Sequence, residues 1–197
     1  YNYIIKEKEV SMKIAIYGLS ADPFHNGHFE IIKRLSKTFD KVIVVPTTIR
    51  YYKSNAQMFS FEERYRVVKS FCDSFDNVEV SDIERFVDSS WRFIDTLRKL
   101  TSGKIMKSFD EYEYYVAMGS DSFQKFETWC DYKEILKRAK LLVFRRPGFE
   151  DNFPNIPHEY VDDIDIDISS TKLREKLRKE IYEDFDEMID DLSFCKG

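Results

Sequence analysis

The chain has 197 residues, of which 43% are hydrophobic and 34% charged, and it carries a formal net charge of −5 at pH 7. This composition is typical of one ordered globular domain, and the negative charge argues against binding nucleic acid through bulk electrostatics. No apolar run approaches the roughly 20 residues that span a membrane, and the three cysteines include no C-x-x-C pair, which favours free thiols in the reducing cytoplasm.

Strand and helix patterns alternate along most of the chain. In chain order we predict a strand in "KIAIYGL", a helix from His28, a strand in "KVIVVP", a helix in "SFEERYRVVKSFCDSF", a strand in "VEVSDIE", a helix in "SSWRFIDTLRKL", a strand in "YYVAMG", one or two short helices in "DSFQKFETWCDYKEILKRA" and a strand in "KLLVFRRPG". Ser60 and Glu63 predict a capping box, and "TTIRYYKSNAQM" a loop. The alternation indicates a parallel sheet with helices on both faces.

The C-terminal region follows a different pattern. Ile164, Ile166 and Ile168 alternate with aspartates, which is the period of a strand with one apolar face. "SSTKLREKL" then predicts a helix, and residues 179–197 predict an acidic amphipathic helix. Beyond the sheet we therefore expect a small helical C-terminal part.

The segment "GLSADPFHNGH" (18–28) holds two of the three histidines directly after the first strand. His25 and His28 are three residues apart at the predicted start of a helix, and Gly27 lies between them. At that position imidazoles can donate hydrogen bonds to phosphate oxygens, while the helix end adds partial positive charge. The alternative is that both rings merely cap the local backbone.

The segment "ISSTKLR" (168–174) is a second candidate anion site. Hydroxyls at a helix start and Arg174, three residues beyond Thr171, can contact one anion. Without further context, an ordinary N-cap beside a solvated arginine is the simpler interpretation.

Together these segments resemble known enzymes. "GLSADPFHNGH" is similar to the signature loop of the nucleotidylyltransferase superfamily, and "ISSTKLR" to its second motif. "AMGSDSFQKFETWCDYKEILKRAKLLVFRRPG" and "IDTLRKL" resemble the nicotinate (nicotinamide) mononucleotide adenylyltransferases. The resemblance spans about residues 12–178 and implies one Rossmann-like nucleotidyltransferase domain over 1–197. In that case residues 1–11 form a candidate extension.

The resemblance also implies roles for individual residues. The catalytic set would be His25, His28, Arg174 and Lys53. The ATP-binding set would be Gly18, Leu19, Ser20, Gly27, Gly119, Asp121, Ile168, Ser170 and Thr171. The set on the mononucleotide side would be Ser20, Thr96, Trp129 and Arg146.

The implied reaction joins AMP from ATP to nicotinic acid mononucleotide and releases pyrophosphate. Mg²⁺ would arrive with ATP, with no metal ligands expected from the protein. The substrates are small molecules, so neither nucleic acid nor membrane is an expected partner, and a homo-oligomer is a candidate assembly. The alternatives are transfer to nicotinamide mononucleotide, another adenylyl- or cytidylyltransferase activity of the superfamily, and nucleotide binding without catalysis.

The chain departs from the family pattern at three places. Leu19 stands where the family has glycine, and Ala21 where it has an aromatic residue. "TTIRYYK" lacks the histidine of the corresponding family loop, and only Lys53 carries over from it. "SSWRFIDTL" is one residue longer than the usual segment, which leaves the choice between nicotinate and nicotinamide open; Trp91 within it is more typical of packing than of stacking on ligand.

Overall fold

One parallel sheet organises the molecule. A computed structural model describes residues 11–48, 57–88, 90–101, 112–149, 153–163 and 170–177. The strands in these residues are β1 (Met12–Leu19), β2 (Lys41–Pro46), β3 (Val78–Val80), β4 (Tyr112–Gly119), β5 (Lys140–Phe144) and β6 (Glu159–Val161). Their order in the sheet is β3-β2-β1-β4-β5-β6, and every neighbouring pair is parallel. This is the Rossmann order, so the predicted fold class is confirmed.

The helices connect these strands. They are α1 (Asn26–Thr38), α2 (Phe61–Cys72), α3 (Phe93–Thr101), α4 (Ser120–Phe123) and α5 (Tyr132–Arg138), with a 3₁₀ turn at Phe126–Thr128 and a helical stretch over 170–177. The predicted capping box begins α2: the Glu63 amide donates to the Ser60 hydroxyl at 3.3 Å, and the Ser60 amide donates to the Glu63 carboxylate at 2.8 Å. None of the described helices is long and apolar enough to cross a membrane.

Each face of the sheet has its own core. Since successive strand residues point to opposite faces, Ala15 of β1 packs on one side and Ile16 on the other. The first core includes Ile32 of α1 and Val68 of α2, whereas the second includes Leu97 of α3 and Ile135 of α5. The predicted placement of helices on both faces is therefore confirmed.

The structure differs from the predicted elements in three places. The strand predicted in "VEVSDIE" ends at Val80, because the chain turns there and the Arg85 amide donates to the Asp82 carbonyl at 2.8 Å. The segment after β4 forms three short helical pieces, not one or two. The edge strand β6 was not predicted, since its three residues are too few to show a period.

Several expectations fall outside the described residues. These are the extension over 1–11 apart from its last residue, the loop carrying Lys53, the strand at Ile164, Ile166 and Ile168, and the C-terminal helix over 179–197. Each of them stays a prediction.

Candidate active site

The three segments that attracted attention in the sequence follow strands that end at one edge of the sheet. Residues 18–28 follow β1, residues 119–121 follow β4, and residues 145–148 follow β5. β4 pairs in parallel with both β1 and β5, so the carboxyl ends of the three strands lie side by side. The strand order reverses between β1 and β4, and ligands of open α/β sheets bind at such a switch point.

His25 and His28 form a stacked pair at the N-terminus of α1. Their ring centroids are 3.7 Å apart with an interplanar angle of 19°, and both residues are buried. The backbone amide of His25 donates to Nδ1 of His28 at 3.3 Å. A neutral His28 therefore carries its proton on Nε2 and can donate it. Neither ring nitrogen of His25 has a hydrogen-bond partner among the described residues.

The surroundings keep both imidazoles neutral. Burial lowers the pKa of His25 to about 4, and the charge of Arg146 acts in the same direction. Burial also holds the pKa of His28 well below its usual range, with further contributions from His25 and Arg146. At neutral pH the pair thus offers N–H donors without positive charge of its own, at a helix end whose dipole favours an anion.

Gly119, Asp121 and Arg146 form the wall of the site beyond β4 and β5. Asp121 Oδ1 and Arg146 Nε are 3.3 Å apart. A Cβ on Gly119 would lie 2.5 Å from that carboxylate oxygen and 2.9 Å from Arg146 Nε, so any side chain there would displace both groups. Arg146 Nε is buried and has no hydrogen-bond partner among the described residues. Burial raises the pKa of the Tyr17 phenol; the charge of Arg146 opposes that effect, and the charge of Asp121 adds a smaller contribution to it.

Arg174 reaches the histidine loop from the other end of the described chain. One of its nitrogens donates to the Asp22 carbonyl oxygen, and the other donates to the Thr171 hydroxyl at 3.1 Å. The Ser170 hydroxyl donates to the Pro23 carbonyl oxygen at 3.0 Å. The 170–177 helix is therefore docked on the two residues that precede Phe24 and His25. Ile168 and Lys53 lie outside the described residues.

Aromatic rings line the opposite side of the β1 loop. A Cβ on Gly18 would lie 3.2 Å from the ring of Phe93, which means that this ring packs directly on the Gly18 backbone. The Phe93 ring meets half-buried Trp129 edge-on, with centroids 5.4 Å apart. Thr96 is fully buried, where its hydroxyl donates to Glu84 at 2.5 Å and accepts from the Trp91 indole at 2.8 Å. That hydrogen bond ties the Trp91 indole to α3, and the packing role of its ring stays a prediction.

The remaining loop positions show how the chain accommodates its departures from the family pattern. Leu19 is buried and its side chain packs in the core on the α1 side, away from the loop surface. Ala21 is buried with a φ of 50°, in the left-handed region that residues other than glycine, asparagine and aspartate seldom adopt. Ser20 is exposed, and Gly27 is buried in the first turn of α1.

Three buried polar residues of this region were missed by sequence reasoning. Arg64 donates to the carbonyl oxygens of Ser20 and Thr47, and Glu84 accepts from Thr48 and Thr96. Asp22 accepts from the amides of Met58 and Phe59 at 3.1 and 2.8 Å. Arg64 had one signal: Arg64, Val68 and Cys72 share the buried face of α2 at a spacing of four. Glu84 and Asp22 lie in irregular segments without a comparable pattern.

Known proteins with similar sequences and folds are nucleotidyltransferases. The cytidylyltransferase-like family model matches residues 16–176. A probable nicotinate-nucleotide adenylyltransferase of Fusobacterium nucleatum is 34% identical over 179 residues, covering 85% of this chain and 88% of the relative. One from Aliarcobacter butzleri is 30% identical over 183 residues, covering 88% and 94%. The structure of the Plasmodium falciparum nicotinic acid mononucleotide adenylyltransferase complexed with NaAD has a TM-score of 0.60 at 19% identity over 82% of both chains, which shows the shared fold.

Proposed function

This chain belongs to the cytidylyltransferase-like family and, within it, to the nicotinate-nucleotide adenylyltransferases, and we propose that it transfers AMP from ATP to nicotinic acid mononucleotide. An oxygen of the mononucleotide phosphate attacks the α-phosphorus of ATP in line. The bond between that phosphorus and the oxygen bridging to the β-phosphate breaks, and pyrophosphate leaves. The products are deamido-NAD and pyrophosphate, and no covalent enzyme intermediate is involved.

The stacked histidine pair is the observation that carries this proposal. Both ring nitrogens of His25 lack a hydrogen-bond partner among the described residues. The pair lies at a helix N-terminus and at the switch point of the sheet, and the positive charge of Arg146 lowers the pKa of both rings. Buried nitrogens without partners cost free energy unless a ligand satisfies them. Phosphate oxygens, which gather negative charge as the α-phosphorus is attacked, match these donors.

Each remaining residue has a place in this scheme. His25 and His28 donate to phosphate oxygens of ATP, while Arg174 and Lys53 neutralise negative charge. The adenosine and phosphates of ATP lie against the β1 loop, the start of α4 and the second motif, that is Gly18, Leu19, Ser20, Gly27, Gly119, Asp121, Ile168, Ser170 and Thr171. Trp129 stacks near the pyridine ring, with Ser20, Thr96 and Arg146 on the same mononucleotide side.

Mg²⁺ enters this proposal with the nucleotide. Among the described residues, no group of three or more His, Cys, Asp or Glu side chains could hold a metal ion. We propose that the ion arrives with the β- and γ-phosphates of ATP, where it would neutralise negative charge on the departing pyrophosphate. The cytoplasmic location and the homo-oligomer stay predictions.

The test is pyrophosphate release with ATP and either nicotinic acid mononucleotide or nicotinamide mononucleotide. We expect turnover with both substrates present, and a higher kcat/KM for the nicotinic acid form. A higher kcat/KM for the nicotinamide form would reassign the substrate while keeping the reaction. Saturable ATP binding without pyrophosphate release would reduce the chain to a nucleotide-binding protein and overturn the proposal.

A further inference from the structure

One peptide group of the site lies between two buried, oppositely charged side chains. Arg64 Nη1 donates to the carbonyl oxygen of Thr47 at 2.9 Å, and Glu84 Oε2 accepts from the amide of Thr48 at 2.9 Å. These two atoms belong to the same trans peptide, so they point in opposite directions. Arg64 is 2% exposed and Glu84 5%. The Thr47–Thr48 peptide therefore connects a buried guanidinium to a buried carboxylate.

Neither charge would be stable in this place alone. A buried ion needs an opposite charge and a full set of hydrogen bonds to offset its lost hydration. Arg64 meets that need with two further carbonyl oxygens, those of Ser20 at 2.5 Å and Phe59 at 3.3 Å. Burial lowers the pKa of Arg64, whereas the negative charges of Asp22 and Glu84 oppose that effect. The peptide dipole lies along the line from one charge to the other and strengthens both contacts.

The Arg64 end of this connection reaches the histidine loop. Through Ser20 the guanidinium holds the residue that follows β1 directly. The Thr47 amide, which belongs to the preceding Pro46–Thr47 peptide, donates to the Leu19 carbonyl oxygen at 2.9 Å, so the adjoining peptide is also tied to the end of β1. The loop backbone proposed to border the ATP phosphates thus depends on Arg64 for its position.

The Glu84 end reaches the aromatic side of the site. Its second carboxylate oxygen accepts from the Thr96 hydroxyl at 2.5 Å, and that hydroxyl accepts from the Trp91 indole at 2.8 Å. Thr96 lies in the second turn of α3, which begins at Phe93. Since the Phe93 ring packs on Gly18 and Arg64 donates to Ser20, both ends of the connection lead to the end of β1, where the reacting phosphates are proposed to bind.

We propose that Arg64 and Glu84 are positioning residues that act as one unit through the Thr47–Thr48 peptide and set the distance between the ATP loop and the mononucleotide side. Neither residue touches substrate. Their effect is on the alignment of the attacking oxygen with the α-phosphorus, and a misplacement of about 1 Å at such a centre costs about 100-fold in rate. This inference rests on the adenylyltransferase activity proposed above.

The test compares Arg64→Lys, Glu84→Gln and the double variant by steady-state pyrophosphate release and by calorimetric titration with ATP. Each single variant should lower kcat about 10- to 100-fold. The Kd for ATP should change less than threefold, with one ATP bound per folded chain. The double variant should be no more than threefold slower than the slower single variant, because both substitutions release the same peptide.

Matched controls separate positioning from folding. Arg66→Lys on α2 and Glu127→Gln in the 3₁₀ turn change exposed residues of the same types, and they should leave kcat within twofold of the wild type. Should Arg64→Lys fail to fold, Thr96→Val takes its place. That substitution keeps the side-chain shape and removes the hydroxyl, and it should lower kcat as much as Glu84→Gln does. In the double variant Glu84→Gln/Thr96→Val the two losses should not multiply.

Three results would overturn the inference. They are a wild-type kcat in folded Glu84→Gln, losses that multiply in the double variant, and a reduced number of ATP sites with normal turnover per site. The last of these indicates a merely structural role. Failure of the proposed function is a different outcome, since the wild-type protein itself would then release no pyrophosphate.

Discussion

Two sets of buried polar groups lie at the carboxyl edge of the sheet, and they differ in whether the protein itself satisfies them. Asp22, Arg64 and Glu84 each make two or more hydrogen bonds to neighbouring backbone or side-chain groups. The imidazole of His25 and Nε of Arg146 are buried without a hydrogen-bond partner among the described residues. Along the chain the two sets come within three residues of each other, at Asp22 and His25.

Whether a buried polar group has a hydrogen-bond partner within the protein indicates its role. Groups with partners hold the site in shape, and groups without partners are available to bind the ligand. A satisfied buried group rigidifies the backbone around it, and its removal leaves a partner unpaired. An unsatisfied buried group costs stability in the free protein and gains a partner only when ligand binds. Substitutions in the first set should therefore lower stability and activity together, whereas substitutions in the second set should lower activity alone.

The largest effect is expected at the histidine pair. His28→Ala should lower turnover about 1,000-fold, because a preorganised donor to the charge of the transition state is lost. The unfolding free energy should also fall, by about 1 kcal/mol, because the His25 amide loses its acceptor, Nδ1 of His28. Pyrophosphate release and urea denaturation measure the two quantities. A variant of near-normal turnover would remove His28 from the mechanism and end the distinction between the two sets.

The next effect concerns the satisfied set. Arg64→Met should lower the unfolding free energy by about 3 kcal/mol, because three carbonyl groups would lose their buried donor and the nearby carboxylates of Asp22 and Glu84 would lose an opposite charge. Arg66→Met, two residues along the same helix and exposed, should change it by less than about 0.5 kcal/mol. Urea denaturation of both variants measures the difference. Equal stability of the two would show that the buried guanidinium contributes nothing to the fold.

A smaller effect is expected at Gly119. Gly119→Ala places a methyl group 2.5 Å from Asp121 Oδ1, so Asp121 and Arg146 must move apart. We expect a rise of about tenfold in substrate KM, which corresponds to about 1.4 kcal/mol. Gly148→Ala is the matched control: no heavy atom of the described residues lies within 4 Å of a Cβ built there, but the φ of Gly148 is +83°. Gly148→Ala should lower the unfolding free energy by about 1 kcal/mol and leave the substrate KM unchanged. An unchanged KM in Gly119→Ala would contradict the packing of Gly119 against Asp121 and Arg146.

The smallest effect is on the pH dependence of stability. Some histidines have a lower pKa in the folded state than in the unfolded chain. The folded state is then most stable above about pH 6.5, and stability is lost as the pH falls toward the pKa of the folded state. The pKa of His25 is lowered to about 4, and that of His28 also lies well below its usual range. Between pH 7.5 and 5.5 the unfolding free energy of the wild type should fall by about 1 kcal/mol more than that of His25→Asn. Urea denaturation at both pH values measures this difference, and parallel losses would contradict burial of a neutral pair.

Much of the fold could be predicted because it follows from local patterns. The apolar runs of β1, β2, β4 and β5 and the capping box at Ser60 are properties of short segments. β6 could not be predicted, because a three-residue edge strand depends on its neighbour β5 and not on its own sequence. The same reasoning separates His25 from Arg64: the histidine belongs to a motif, whereas the arginine acts through carbonyl groups far away in sequence.

The site was predicted in its parts but not in its connections. His25, His28 and Arg174 stand out by residue type and position at helix starts. The effect of Arg146 on the histidines, and the hydrogen bond of Thr96 to Glu84, arise only when β5 and α3 are packed against the same edge. The burial of a polar side chain depends on tertiary packing. For Glu84, no periodic pattern in the sequence predicts it.

The measurement that tests this account most directly is a nitrogen NMR titration of the histidine side chains with a non-hydrolysable ATP analogue. The chain has three histidines, and His158 lies in a separate aromatic cluster with Phe123, so it serves as an internal control. We predict that the free protein shows His28 as the neutral Nε2–H tautomer, and that the analogue shifts the ring nitrogens of His25 and His28 but not those of His158. Saturable binding that leaves both rings unshifted would contradict the claim that the unpartnered nitrogens receive the triphosphate.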